Sequence, residues 1–106
     1  DTIADVGFGF GKTLEHNYQL LRELHAFQLL GRPILSGVSR KSMIYKALNT
    51  SAEKSLNGTT ALHMAALLQG SNILRVHDVK EAAETITLFN QLMPDGINHL
   101  LEPWER

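Results

Sequence analysis

Asp5-Val6-Gly7-Phe8-Gly9-Phe10-Gly11-Lys12-Thr13 decides how this chain is read. A short apolar run leads into it from Thr2. Three glycines alternating with two phenylalanines then forbid regular structure, and Thr13 offers a hydroxyl to cap a helix. The unit is therefore strand, glycine-rich loop, helix, and working outward it recurs twice.

The first helix is predicted over residues 14–30, with Leu14, Tyr18, Leu21 and Leu24 at spacings of three and four. Gly31 stops it and Pro33 opens the next segment. The second unit is a strand over 33–37, the polar turn Ser39-Arg40-Lys41-Ser42, a short helix over 42–48, and a further helix from about residue 53 or 58 to 69. That helix places Ala61, Met64, Ala65 and Leu68 on one face, and Gly70 ends it. The third is a strand over 73–76 running into His77-Asp78, then a helix over 79–93. Val79, Ala82, Ala83, Ile86, Phe89 and Leu92 or Met93 are expected inward, and Asp78 is expected to cap that helix. Pro94-Asp95-Gly96 turns into a tail carrying Leu100, Leu101 and Trp104, so the chain divides into residues 1–93 and a tail of 94–106.

Strands alternating with helices imply an α/β fold with parallel pairing and right-handed crossovers. Three such strands leave two open sheet edges, and the chain opens on Asp1 rather than Met. Both features lead us to expect part of a larger protein, cut just before a strand.

Composition narrows the chemistry. In 106 residues, 10 Lys+Arg against 11 Asp+Glu give a net charge of −1, which disfavours nucleic-acid binding. Without cysteine there is no disulfide, thiolate metal site or cysteine nucleophile. No apolar run reaches the roughly 18–20 residues of a membrane span and no signal-peptide layout opens the chain, so a cytoplasmic location is expected.

The polar and glycine residues cluster after each strand, on the edge where α/β folds bind ligands. The glycine run misses both phosphate-loop patterns by one residue. Val6 stands where a P-loop needs glycine, and Lys12 where the dinucleotide fingerprint does. Phe8 and Phe10 either present a flat apolar surface to a planar ligand or tuck into the core. Ser39-Arg40-Lys41-Ser42 is either an anion site at a helix start or a solvated basic turn. Arg75 and His77 alternate onto one side of their strand as a two-pronged anion donor; the other reading pairs Arg75 with a neighbouring carboxylate and uses His77 in a helix cap. His16, His25, His63 and His99 lack metal-ligand spacing and are read as structural or exposed.

Asp5-Val6-Gly7-Phe8-Gly9-Phe10-Gly11-Lys12, Ser39-Arg40-Lys41-Ser42 and Arg75-Val76-His77-Asp78, in this order, resemble the dihydropteroate synthase family over nearly the whole chain to Met93. The resemblance implies the last three βα units (β6α6β7α7β8α8) of a TIM (β/α)8 barrel. It also implies a folate-pathway transferase that joins 6-hydroxymethyl-7,8-dihydropterin pyrophosphate to p-aminobenzoate, releases pyrophosphate and is inhibited by sulfonamides. By the same resemblance Asp5 holds the pterin ring, and Lys41 reaches the pterin carbonyl and ring nitrogen. Gly9 and Gly37 admit close backbone approach, Phe10 walls the p-aminobenzoate pocket, and Ser42 meets its carboxylate. Arg75 and His77 hold the leaving pyrophosphate, so Lys41, Arg75 and His77 form the catalytic set. Arg40 gains no role beyond support. The family's magnesium ion would be held by an asparagine in N-terminal motifs that this chain lacks, so no metal ligand is assigned here and the chain alone is expected to be inactive. The family usually has proline after the pterin-binding aspartate; here Val6 stands there. Two other readings remain: a non-catalytic half-barrel that binds a pterin or anion or self-associates, and a pterin-dependent methyltransferase barrel. The Phe-Gly-Phe-Gly and Ser-Arg-Lys-Ser runs speak against the second.

Overall fold

A computed structural model describes residues 3–9 and 12–95. Strands β1 (Ala4–Val6), β2 (Ile34–Ser36) and β3 (Ile73–Leu74) form a parallel sheet in the order β1-β2-β3. Ala4 pairs with Ile34, and Leu35 with Ile73. Parallel strands need long crossovers. The first runs through α1 (Leu14–Arg22) and a 3₁₀ helix, Leu24–Leu30. The second runs through α2 (Ser42–Tyr45), a 3₁₀ turn at Ala52–Lys54 and α3 (Leu56–Leu68), and α4 (Val79–Leu92) follows β3.

The strands are shorter than their apolar runs, yet polar groups prolong the ladder. The Ala4 N–H donates to the Pro33 carbonyl at 2.8 Å, and Asn72 Oδ1 accepts from the Ile34 N–H at 2.8 Å. Proline lacks a donor but still accepts, so Pro33 can flank β2 without breaking the sheet.

Both predicted ends of the first helix are present. Thr13 accepts from the His16 N–H, and Gly31 adopts the left-handed conformation at φ 67°. Between them the predicted continuous helix is interrupted at Glu23, and the chain tightens to 3₁₀ geometry. There the His25 N–H faces Gln69 Oε1 at 3.4 Å, and the same oxygen meets His25 Nδ1 at 2.6 Å. The apolar stripe is consequently buried at Leu21 and Leu24, while Leu14 is exposed.

Two helix faces differ from expectation. On α3 the buried side chains are Thr59, His63, Ala66 and Leu67, whereas Ala61 is exposed and Met64, Ala65 and Leu68 are half-buried. This helix is apolar on most sides, so spacing carries little information about its rotation, and a polar contact at Thr59 decides it. On α4 and just after it, Ala82, Thr85 and Met93 are buried and Phe89 is half-buried, while Val79, Ala83, Ile86 and Leu92 face outward. Asp78 precedes α4 but makes no side-chain cap bond, because an arginine described below takes its carboxylate.

The core gathers Phe8, Leu24, Ile34, Val38, Met43 and Ile44 beneath the sheet. Phe8, 2% exposed, takes the second of its two readings and packs into the core. Phe10, Gly11, His99 and the tail from Gly96 through Trp104 lie outside the described residues. Among the described residues no helix is long and apolar enough to cross a membrane.

Candidate active site

The three loops leave the strands at one sheet edge, and each is shaped locally. After β1 the Phe8 N–H donates to the Val6 carbonyl at 3.1 Å, and the Lys12 N–H closes a turn onto the Gly9 carbonyl at 3.2 Å. Gly9 has φ +95°, a conformation that penalises any side chain. Its N–H donates to Oδ1 of the buried Asn17 at 2.7 Å. After β2, Arg40 also takes a positive φ of 54°, and its N–H donates to Thr59 Oγ1 at 3.0 Å. Lys41 and Ser42 then start α2, held against α1 by the Tyr18 hydroxyl, which donates to the Met43 carbonyl at 2.6 Å. Burial pushes the Tyr18 phenol pKa up, so it remains a donor.

Side chains join the loops to one another. Lys41 Nζ donates to the Phe8 carbonyl at 2.9 Å, linking the second loop to the first. The Arg40 guanidinium forks onto Asp78, with Nε and Nη2 each 2.9 Å from a carboxylate oxygen, and its Nη1 donates to the Ala52 and Glu53 carbonyls. This clamp, and not a helix cap, is what Asp78 does. The hydrogen bond from Arg40 holds the Asp78 carboxyl below its usual range. Ser39 Oγ accepts from the His77 backbone N–H at 3.3 Å and meets His77 Nδ1 at 2.7 Å. These two contacts tie the third loop to the second and leave His77 Nε2 without an assigned proton.

Arg75 Nη2 donates to Asp5 Oδ2 at 2.9 Å, with the two side chains 62% and 50% exposed. Arg75 therefore takes its carboxylate-paired alternative here. A pair this wet is worth about 0–1 kcal/mol and gives way readily to a better partner. Burial lowers the Lys41 pKa, and the Arg75 and Lys12 charges lower it further while Asp5 opposes them. Lys41, Arg75, Lys12 and Asp5 thus share one field, suited to a ligand carrying both hydrogen-bond donors and negative charge.

Phe8, Gly9, Arg40, Lys41, Ser42 and Tyr45 line a shallow, open groove of about 410 Å³. Asp5, Gly9, Gly37, Lys41, Ser42, Arg75 and His77 all lie on this edge. A Cβ at Gly37 would meet Arg75 side-chain atoms at 3.6–3.7 Å, an ordinary contact, so packing in this state does not demand glycine there. Sequence reasoning missed Asn17, and assigned neither Ser39 nor Arg40 a partner. Among the described residues no three His, Asp or Glu side chains gather as metal ligands.

The profile of the pterin binding enzyme family matches residues 1–77. The Escherichia coli K12 dihydropteroate synthase is 49% identical over 84 residues, which are 79% of this chain and 30% of that protein. The Yersinia pestis dihydropteroate synthase, solved as a sulfonamide drug complex, is similar in structure with a TM-score of 0.85 at 42% identity, covering 88% of this chain and 34% of that one. The Thermus thermophilus dihydropteroate synthase in complex with 4-aminobenzoate has a TM-score of 0.80 at 41% identity, covering 85% of this chain and 35% of that one. The chain spans about a third of the length of these relatives.

Proposed function

The chain belongs to the pterin binding enzyme family, and we propose that it supplies the last three βα units (β6α6β7α7β8α8) of a (β/α)8 barrel working as a cytoplasmic dihydropteroate synthase. In that reaction the amine of p-aminobenzoate attacks the methylene carbon of 6-hydroxymethyl-7,8-dihydropterin pyrophosphate. The C–O bond breaks, the C–N bond forms, pyrophosphate departs, and the amine loses a proton. The observation that carries the reading is the meeting of Asp5, Lys41 and Arg75 at one sheet edge, with Arg75 bonded to Asp5 and Lys41 sharing their field.

The roles follow from donor and acceptor chemistry. An ionised Asp5 is acceptor-only and suits the N–H-rich edge of a pterin ring. Lys41 keeps one of its three protons on the Phe8 carbonyl and donates the other two toward the ring carbonyl and ring nitrogen. Pterin arrival at Asp5 releases Arg75, which then joins His77 in holding pyrophosphate as charge builds on the leaving oxygen. Freeing the arginine by binding the ring places the donor where charge develops. Ser42 meets the p-aminobenzoate carboxylate, or the sulfonamide that replaces it, and Phe10 walls that pocket. Magnesium, implied by the family, finds no ligand set among the described residues, and no step above depends on it.

A chimera tests the reading. Residues 3–95 replace the matched segment of the Escherichia coli relative, and formation of 7,8-dihydropteroate is followed. Turnover is expected; a folded chimera that binds neither substrate and makes no product refutes the proposal.

A further inference from the structure

Asn17 lies on α1, three residues inside the helix, and its side chain is 2% exposed. A buried amide must place both ends, and this one does. Its Nδ2 donates to the Thr13 carbonyl at 3.1 Å, and its Oδ1 accepts from the Gly9 N–H at 2.7 Å. One end facing a carbonyl and the other an N–H fixes which way the amide points. The Thr13 carbonyl also accepts the Asn17 backbone N–H, so the side chain is rooted in the first turn of α1.

The Gly9 N–H belongs to the peptide plane that carries the Phe8 carbonyl, and that carbonyl accepts from Lys41 Nζ at 2.9 Å. In a trans peptide the N–H and C=O point in opposite directions, so one orientation of the plane serves Asn17 on one side and Lys41 on the other. Glycine imposes little of its own torsional preference, and Gly9 sits at φ +95°. The plane therefore needs an outside hold. Lys41 also lies along Gly9, its Cδ 3.6 Å from where a Cβ would stand. Hydrogen bonds in such a chain polarise one another, so the Asn17 contact makes the Phe8 carbonyl a better acceptor for the ammonium.

We propose that Asn17 is a positioning residue for Lys41, acting through the Phe8–Gly9 peptide plane. This rests on the reading of Lys41 as a substrate-binding group of a dihydropteroate synthase. Without Asn17 the plane turns, the Phe8 carbonyl leaves the ammonium, and Lys41 meets the substrate from a spread of positions. The loss falls on turnover through Lys41 and on no other group.

A double-mutant cycle in the chimera tests it. Asn17→Ala is expected to lower kcat/KM about tenfold when Lys41 is present, and less than about twofold when Lys41→Ala is already in place. Asn17→Asp, protonated on the oxygen that faces the Thr13 carbonyl, keeps a donor there and an acceptor at the Gly9 N–H, and is expected to stay within about threefold of the parent. Equal losses in both backgrounds overturn the proposal. In the 106-residue chain, the nuclear Overhauser contact between Gly9 Hα and Lys41 Hδ is expected to vanish in Asn17→Ala and persist in Asn17→Asp. Its survival in a folded Asn17→Ala chain overturns the inference whether or not the chimera turns over. Asn17→Ser, too short to reach Gly9, replaces the alanine variant if that one does not fold. An inactive parent chimera counts against the synthase reading alone, because the Overhauser result still decides the role of Asn17.

Discussion

Substituting Gly58 with alanine tests the packing that supports the second loop. Gly58 lies on α3, and a Cβ there would stand 2.6 Å from Cγ2 of Ile44 and 2.9 Å from Cδ1 of Leu48. Leu48 is half-exposed and its terminal methyl can swing away. Ile44 is 1% exposed and branched at Cβ, so its Cγ2 moves only if α2 moves. Overpacking by a methyl costs about 1–3 kcal/mol, and replacing glycine by alanine inside a helix returns about 1 kcal/mol. Because the tighter clash is with the stiffer side chain, we place the cost in the upper half of its range and expect a net loss of about 1–2 kcal/mol. For a domain of this size that lowers Tm by roughly 4–16 °C. Urea and thermal unfolding of the 106-residue chain measure it. Ile44→Leu, which removes Cγ2 at constant volume, should recover part of the loss in the double variant. A Gly58→Ala chain as stable as the parent or more so would refute the close approach of α2 and α3 and the argument built on it.

Other outcomes are expected from the same geometry. In the chimera, Lys41→Ala and Arg75→Ala should each lower turnover by about one to two orders of magnitude, the worth of a charge-assisted hydrogen bond of roughly 1.5–3 kcal/mol; near-parental kinetics would remove that residue from the catalytic set. Burial pushes the His63 pKa below its usual value of 6.5, against the pull of Asp78. Just below pH 6.5 the unfolded chain then binds more protons than the folded one, so stability is full above that pH and declines as pH falls toward the folded value. Because His63 Nε2 has no hydrogen-bond partner among the described residues, His63→Leu should flatten Tm between about pH 7 and 5 at little cost, and an unchanged slope would count against it. Asp78, with its pKa lowered from 3.8, adds a second acid-side loss as pH falls below that value. The isolated chain should show no synthase turnover, and with Ile86, Leu88 and Leu92 exposed on α4 it should self-associate. Sedimentation equilibrium showing only monomer mass would reject association, and product formed by pure chain would reject inactivity.

Local chemistry was legible wherever it acts alone. Thr13 as cap, Gly31 and Gly70 as stops, and three strands feeding three polar loops all follow from rules that span a few residues. Asp78 shows where such rules fail: a carboxylate ahead of a helix reads as a cap, but the Arg40 fork, 38 positions away in sequence and brought near by the fold, outcompetes the backbone N–H groups. The rotation of α3 was hidden for a related reason. Thr59 and His63 look like the solvent face until Arg40 supplies Thr59 with a donor. Asn17 was equally silent, since its acceptor geometry exists only once the glycine loop folds back over α1.

The bonds across the site also fix when it exists. They link residues 33, 38, 38 and 70 positions apart: Lys41 to Phe8, Ser39 to His77, Arg40 to Asp78, and Arg75 to Asp5. None can form before the intervening crossovers have closed, and parallel pairing is a slow step in folding. The site is therefore among the last things the chain completes, and a molecule with any one unit misdocked lacks it altogether. A ligand that bridges these loops is bound only by the finished chain. Its binding free energy adds to the stability of the whole, so bound ligand should slow hydrogen exchange in all three strands together rather than at the loops it touches.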